Sequence, residues 1–164
     1  MITVAPTPAG DPWYGFLALM VALISTSCTS SDGVMSDKTP VKLRQVFVAP
    51  IDQQLETFPS YDFETQYRLY IYGNQKVEPP ALYLIRPFAA EGATIVEPLQ
   101  RRFVMASDEA TIRDIVLVFA DMKHLGSYDV TGDKALMDMM WQRVGRMKDE
   151  FWREFCEREL RSLD

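Results

Sequence analysis

Apolar and polar positions alternate along several short stretches of the chain, a pattern typical of strands with one buried face. The clearest stretch is Thr65–Tyr72, in which Tyr67, Leu69 and Ile71 alternate with other residues. Val41–Ala49 is rich in β-branched residues and also predicts a strand. Further strands are predicted at Ala81–Arg86, Thr94–Val96 and Arg101–Met105. Together these stretches indicate a sheet.

Turn signals separate the predicted strands. Gly73-Asn74 directly follows Thr65–Tyr72, and a Gly-Asn pair supplies the backbone angles of a tight hairpin turn. Pro79-Pro80 cannot donate ladder hydrogen bonds, so the return strand is expected to stop near Val77. Glu97-Pro98 divides the last two strand candidates. The sheet is therefore expected to be antiparallel.

The segment of residues 107–124 fits two structures. Ser107 resembles a helix cap followed by the acidic residues Asp108 and Glu109, and apolar residues recur at helical spacing after them. However, Ile115–Phe119 reads IVLVF and equally suits a central strand. Five consecutive apolar residues leave little polar face for a surface helix, so we favour the strand.

The C-terminal segment predicts one long helix from a cap at Asp133 to about Leu160. Its apolar stripe is assigned to the core and consists of Leu136, Met140, Val144, Met147, Phe151 and Phe155. Strands followed by a helix predict an α+β fold, an antiparallel sheet of about four to six strands with the helix packed on one face.

Trp13–Ile24 is an apolar run without a charged residue. It is shorter than the ~20 residues of a membrane-spanning helix and matches the central region of a secretory signal. Small uncharged residues follow it up to Cys28. The run therefore predicts export, either with lipid attached to Cys28 or with ordinary cleavage, and an uncleaved anchor and a buried helix are the alternatives.

The segment Leu23–Cys28 resembles a bacterial lipoprotein signal. The resemblance implies that Cys28 carries lipid and that Thr29 allows sorting to the outer membrane. We expect a signal peptide at 1–27, a flexible tether at 28–40 and a single domain at 41–164. If Cys28 carries no lipid, an oxidising periplasm could instead pair it with Cys156.

The charge balance bears on the class of partner. The chain has 17 Lys and Arg against 23 Asp and Glu, a net charge of −6. Nucleic-acid binding requires clustered basic residues, of which the sequence offers only Arg101-Arg102 and a mixed-charge C-terminal segment. A nucleic-acid partner is therefore not expected.

Few residues suggest chemistry. His124 lies close in sequence to Ser127 and Asp129, but near-adjacent residues of one loop do not normally converge as a triad.

Asp129 and Asp133 flank Gly132, which suggests a calcium loop or a turn in which Gly132 takes a special backbone angle and Asp133 caps the helix. Asp62 and Glu64 are expected in a solvated loop. We predict no catalytic residue, metal or cofactor.

Aromatic residues are the remaining candidates for binding. The tyrosines on neighbouring predicted strands could form a platform for a protein or a glycan, although ordinary packing also explains them. The tentative partner-binding set is Tyr70, Tyr72, Tyr83, Trp141 and Trp152.

In size and layout the chain resembles periplasmic immunity lipoproteins, which neutralise antibacterial effectors. This resemblance implies a non-enzymatic, lipid-anchored domain that binds a protein on the periplasmic side of the envelope. The alternative is an accessory lipoprotein of an envelope or secretion-system complex. A small hydrolase that uses His124 is a third hypothesis.

Overall fold

The computed structural model describes residues 39–163, and side chains from Lys42 onward. Within this range all regular structure is helical. The α-helices are α1 (Thr39–Val46), α2 (Ile51–Thr57), α3 (Phe63–Lys76), α4 (Ile85–Ala90), α5 (Ala93–Met105), α6 (Glu109–Leu125), α7 (Lys134–Val144) and α8 (Glu150–Arg161). Short 3-10 helices lie at Phe58–Ser60 and Leu82–Leu84. The predicted α+β class is wrong for this part of the chain.

Helix α3 replaces the strand predicted at Thr65–Tyr72. It begins at the cap residue Asp62, whose carboxylate accepts a hydrogen bond from the Thr65 amide at 2.8 Å. The residues that it buries include Leu69, Tyr70 and Gly73, which are spaced as one helical face. The alternation of apolar residues that predicted a strand therefore coincides with two turns of a helix.

Gly73-Asn74 forms no hairpin turn, because both residues are buried within α3. A Cβ atom at Gly73 would lie 2.8 Å from the Ala81 Cβ and 2.8 Å from the Phe47 Cζ. The glycine is thus explained by the close approach of two neighbouring segments. Val41–Ala49, predicted as a strand, contains most of α1, and Ala81–Arg86 leads through a 3-10 turn into α4.

Helix α5 contains both strands predicted at Thr94–Val96 and Arg101–Met105. Pro98, which was expected to separate them, lies inside the helix. The buried residues on either side of Pro98 keep one helical spacing, and they are Ile95, Val96, Leu99 and Phe103. Burial of this face outweighs the hydrogen bond that the proline cannot make.

Helix α6 is the centre of the fold. Asp108, rather than Ser107, caps it through the Thr111 amide at 2.8 Å, and Gly126 ends it in the left-handed conformation with φ 66°. The helix packs against α3, α4, α5, α7 and α8. Ile115–Phe119 is consecutively apolar because neighbours cover α6 on most sides, and the strand that we favoured here is wrong.

The single C-terminal helix is also wrong, because α7 and α8 are separate helices. Asp133 caps α7 as predicted, with its carboxylate 3.0 Å from the Leu136 amide. Asp149 caps α8 through the Trp152 amide at 3.2 Å. The carboxylate of Glu109 accepts hydrogen bonds from the amides of Lys148 and Asp149, which holds the connection between α7 and α8 against the start of α6.

The predicted stripe divides at this break. Leu136, Met140, Val144 and Met147 are buried, which confirms the first part of the stripe. Phe155 is only half-buried and Phe151 is 67% exposed, so the assignment of Phe151 to the core is wrong. After the second cap, the buried residues of α8 are Cys156 and Leu160 instead.

The N-terminal predictions mostly lie outside the described residues. This holds for the signal peptide at 1–27, for Cys28 and for most of the tether at 28–40, of which only the last two residues belong to α1. Across residues 39–163, none of the helices combines the length and the apolar character needed to span a membrane.

Candidate functional site

Three aromatic side chains pack edge to face on the outer side of α8. The Phe151 and Trp152 ring centroids are 4.8 Å apart, and those of Trp152 and Phe155 are 5.8 Å apart. Both pairs adopt the T-shaped geometry that aromatic rings favour. We call Phe151, Trp152 and Phe155 the α8 aromatic cluster.

Two arginines stack on this cluster. The Arg113 guanidinium carbon lies 4.3 Å from the centroid of the Trp152 ring, and that of Arg158 lies 5.5 Å from the Phe155 centroid. These distances are within the range of cation–π attraction. Arg158 is exposed, whereas the Arg113 side chain retains only 16% of its surface. The cluster therefore contacts both an arginine at the surface, Arg158, and a largely buried one, Arg113.

Arg113 connects the cluster to a buried carboxylate. Its Nε and Nη2 donate to the Asp114 Oδ1 at 3.0 Å and 2.6 Å. The Gln75 Nε2 of α3 donates to the Asp114 Oδ2 at 2.9 Å. Asp114 is fully buried, and desolvation raises the pKa of its carboxyl above the ordinary value, although the Gln75 and Arg113 hydrogen bonds oppose this shift.

Tyr70 supports the same region from α3. Its hydroxyl donates to the backbone carbonyl of Asp114 at 2.8 Å, and its ring is fully buried. Burial raises the pKa of the Tyr70 hydroxyl well above its usual value, so the group stays neutral. These contacts fix the turn of α6 that carries Arg113, and thereby the position of the arginine beneath Trp152.

Cys156 lies on the inner face of the helix that carries the cluster. It is fully buried, and desolvation raises the pKa of its thiol to about 12. A thiol with so high a pKa is almost entirely protonated at neutral pH, and the thiolate is the nucleophilic form. Cys156 therefore contributes to packing and is not equipped for nucleophilic chemistry.

The five residues predicted to bind a partner do not come together. Trp152 belongs to the cluster, and Trp141 is half-buried on α7 with the Arg161 guanidinium carbon 5.9 Å from its ring centroid. Tyr72 packs against Phe47, and Tyr83 donates to the Gln54 Oε1 at 2.6 Å. Tyr70 is in the core and has no surface to offer to a partner.

The surface roles of Phe151, Phe155 and Arg113 were not predicted from the sequence. Asp149 was a usable signal for the two aromatic residues, because a capping residue inside an apolar stripe indicates that a new helix begins there. The stacking of Arg113 on Trp152 joins helices far apart in sequence and had no local signal.

The loop after α6 is held by its own side chains. Ser127 donates to the Ala89 carbonyl at 2.6 Å, and the Asp129 carboxylate accepts from the Lys123 Nζ at 3.0 Å. This bond, with the Gly132 amide, lowers the pKa of Asp129. Neither Ser127 nor Asp129 is thus oriented by the exposed His124.

The structure also places Gly132 and the acidic residues singled out from the sequence. Positive φ angles occur at Gly92 and Gly126 among the described glycines, so the special angle predicted for Gly132 is wrong. A Cβ atom there would meet the Asp129 Oδ2, which is the tip of an exposed side chain that can move aside. The loop predicted for Asp62 and Glu64 is wrong, because Asp62 caps α3 and Glu64 lies in its first turn and pairs with Arg102. Within residues 39–163, no three His, Cys, Asp or Glu side chains are grouped so that they could hold a metal ion.

A second exposed apolar surface lies at the end of α5. Val104 and Met105 are exposed there, beside Met139 of α7, and they line a shallow groove of about 340 Å³. The Arg143 guanidinium donates to the Ala106 carbonyl and fastens α7 to this end of α5. We call this surface the α5 groove.

Comparisons with known proteins give no relative of this chain. No protein-family model, no curated protein and no solved structure matches it.

Proposed function

We propose that this chain is a lipid-anchored protein of the bacterial envelope that binds another protein through the α8 aromatic cluster. The anchor is Cys28, at the end of the lipoprotein-like segment, and the domain faces the periplasm from the outer membrane. The biological role that we favour is immunity, in which the domain neutralises an antibacterial effector.

The observation that carries the binding proposal is the exposure of Phe151 within a packed aromatic cluster. The ring is 67% exposed, although Trp152 and Phe155 hold its neighbourhood in place. Large aromatic residues and arginine dominate the binding energy of protein interfaces, above all where the anchor side chains are ordered before binding. Trp152 supports this condition, because it stacks on Arg113, which is paired with the buried Asp114.

The composition of the cluster indicates the chemistry of the partner. Phe151 and Phe155 offer apolar contact, and the exposed Arg158 offers hydrogen bonds to a planar anion at the edge of the same surface. A matching partner presents an apolar side chain with a carboxylate beside it. Electrostatic attraction at such an edge mainly sets the association rate and the specificity.

The alternative role, an accessory lipoprotein of a larger envelope assembly, is favoured by the α5 groove. A subunit of an assembly contacts more than one neighbour, and the groove is a second exposed apolar surface separate from the cluster. An immunity protein requires one binding surface only. Loss of function on substitution at both surfaces would favour the accessory role.

Lipidation is tested by metabolic labelling with a palmitate analogue. The intact chain should incorporate label, and Cys28→Ser should not. Equal labelling of the two proteins, or none in either, would remove the anchor from the proposal.

Binding is tested by crosslinking in envelope extracts, with Phe151→Ala compared with Val104→Ala. Both substitutions shorten an exposed apolar side chain, but only the first alters the cluster. A partner captured by wild type and Val104→Ala should be lost with Phe151→Ala.

For the immunity role, co-expression of the domain with the captured protein in the periplasm should suppress the toxicity of that protein. A captured protein that is not toxic would contradict immunity.

A further inference from the structure

A third group of exposed apolar side chains lies in the segments near the start of the described chain. Val48 is 82% exposed in the turn after α1, and Ile51 and Leu55 lie one turn apart on α2. Leu82, in the second 3-10 helix, is also exposed. Apolar residues scattered singly over a surface are ordinary, but a contiguous group of them marks a site of interaction.

The contacts behind these residues show that the segments carrying them lie next to one another. Phe47 and Ala81 both approach Gly73 of α3, so the segments that carry Val48 and Leu82 are neighbours in the fold. Gln54 of α2 joins the two segments, because its Oε1 accepts from the Tyr83 hydroxyl at 2.6 Å and its Nε2 donates to the Ala49 carbonyl at 2.6 Å. We call Val48, Ile51, Leu55 and Leu82 the N-terminal corner.

The position of the corner in the chain limits what can cover it. Thr29–Lys38 separates the proposed lipid anchor from α1. Ten residues of chain span at most about 35 Å when fully extended. A tether of this length keeps the start of the domain within a few tens of Å of the membrane, so the corner meets the lipid surface at a high effective concentration.

The side chains of the corner suit a lipid surface. Aliphatic residues that enter the boundary between headgroups and acyl chains bind by burying apolar area, and basic residues beside them add attraction to anionic lipids. Lys42 and Arg44 of α1 and Arg86 of α4 are exposed, and these helices are close in sequence to the residues of the corner. The acidic residues Asp52 and Glu56 are exposed on α2, so apolar contact is the main contribution.

We infer that the N-terminal corner docks on the lipid surface of the membrane that holds the anchor. This inference rests on the proposed lipid anchor at Cys28. Docking through α1 and α2 fixes the orientation of the domain, while the α8 aromatic cluster is carried by other helices and stays available to a protein partner.

The test uses the full lipidated chain with an environment-sensitive fluorophore on Val48→Cys. Cys156 is buried and its thiol has a high pKa, so it competes little for the label. The control position is Glu154→Cys, an exposed site on α8. Each protein is mixed with vesicles of three parts phosphatidylethanolamine to one part phosphatidylglycerol, and binding is measured by flotation.

All proteins should float with the vesicles, and the fluorophore at position 48 alone should shift its emission to the blue. Ile51→Glu should abolish this shift, whereas Gln53→Glu, which adds the same charge on the other side of α2, should retain it.

Flotation without a shift at position 48 would overturn the docking inference and leave the anchor intact. A failure to float would overturn the anchor and the docking together. A shift that requires no vesicles and grows with protein concentration would assign the corner to a second copy of the chain and contradict lipid docking.

Discussion

Helices α7 and α8 carry apolar residues at the same three- and four-residue spacing, yet the two helices use them differently. In α7 the stripe is fully covered, with Leu136, Met140 and Val144 buried against the rest of the domain. In α8 the continuation of the same spacing reaches the surface at Phe151, while Cys156 and Leu160 are buried. The spacing of apolar residues therefore predicts an apolar helix face, but it does not predict whether that face is buried.

The difference arises in the connection between the two helices. Asp149 starts α8 anew, and the Glu109 carboxylate binds the amides of Lys148 and Asp149 beside α6. Since α8 begins anew after residues 145–149, its buried residues Cys156 and Leu160 are no longer in phase with the stripe. The aromatic residues left outside are then free to form a surface cluster.

The largest expected effect lies on the buried side of this comparison. Met140→Ala should destabilise the domain by about 2–5 kcal/mol, because it leaves a cavity where a fully buried side chain packs. Urea denaturation of the isolated protein measures the change. A cost below about 1 kcal/mol would mean that α7 is covered no better than α8.

The position of these helices could be predicted in part from the sequence. Asp133 as the cap of α7 and the buried residues up to Met147 follow from local signals, since caps and helical spacing act over a few residues. The strands could not be excluded, because a run such as Thr65–Tyr72 fits a half-buried strand and two helical turns equally well. In the fold, α3 packs closely against Phe47 and Ala81, and the local pattern does not contain such contacts.

The candidate site was less predictable than the fold. Trp152 was singled out as an aromatic residue beside the stripe, but its contact with Arg113 depends on how α6 and α8 pack. Tyr70 is of a residue type that often binds partners, but it lies in the core, where its hydroxyl donates to a backbone carbonyl of α6. Residue type indicates that a side chain can bind, whereas burial decides whether it is accessible.

The second prediction concerns the buried support of the α8 aromatic cluster. Asp114→Ala should cost about 1–3 kcal/mol, because the Gln75 amide loses its buried acceptor and Arg113 loses its carboxylate. The same variant should also reduce the order of Trp152, which near-UV circular dichroism detects. Trp141→Phe serves as a spectral control. An unchanged Trp152 signal would mean that Asp114 does not help to hold the α8 aromatic cluster in place.

The third prediction is a pH dependence of stability. The folded state raises the pKa of the Asp114 carboxyl above the unfolded value of about 3.9, so it binds the proton more tightly than the unfolded chain does. The contribution of Asp114 to stability is therefore greatest at low pH and falls as the pH rises through the folded pKa.

Asp114→Asn isolates this contribution, because the amide does not titrate. The difference in unfolding free energy between wild type and Asp114→Asn should shift against wild type between pH 4 and pH 7, as measured by urea denaturation at each pH. Asp62 and Asp129, whose pKa values are lowered, remain in both proteins and cancel in this difference. A difference that moves in favour of wild type would mean that the ion pair with Arg113 outweighs desolvation.

The smallest expected effect is on the exposed side of the comparison. Phe151→Ala should change the unfolding free energy by no more than about 0.5 kcal/mol, because most of the ring already faces solvent. A buried phenylalanine would cost about 3–5 kcal/mol instead, so the two assignments are well separated. Denaturation at low and at high protein concentration completes the measurement. A large loss at both concentrations would place the ring in the core, and a loss only at high concentration would show that a second copy covers it.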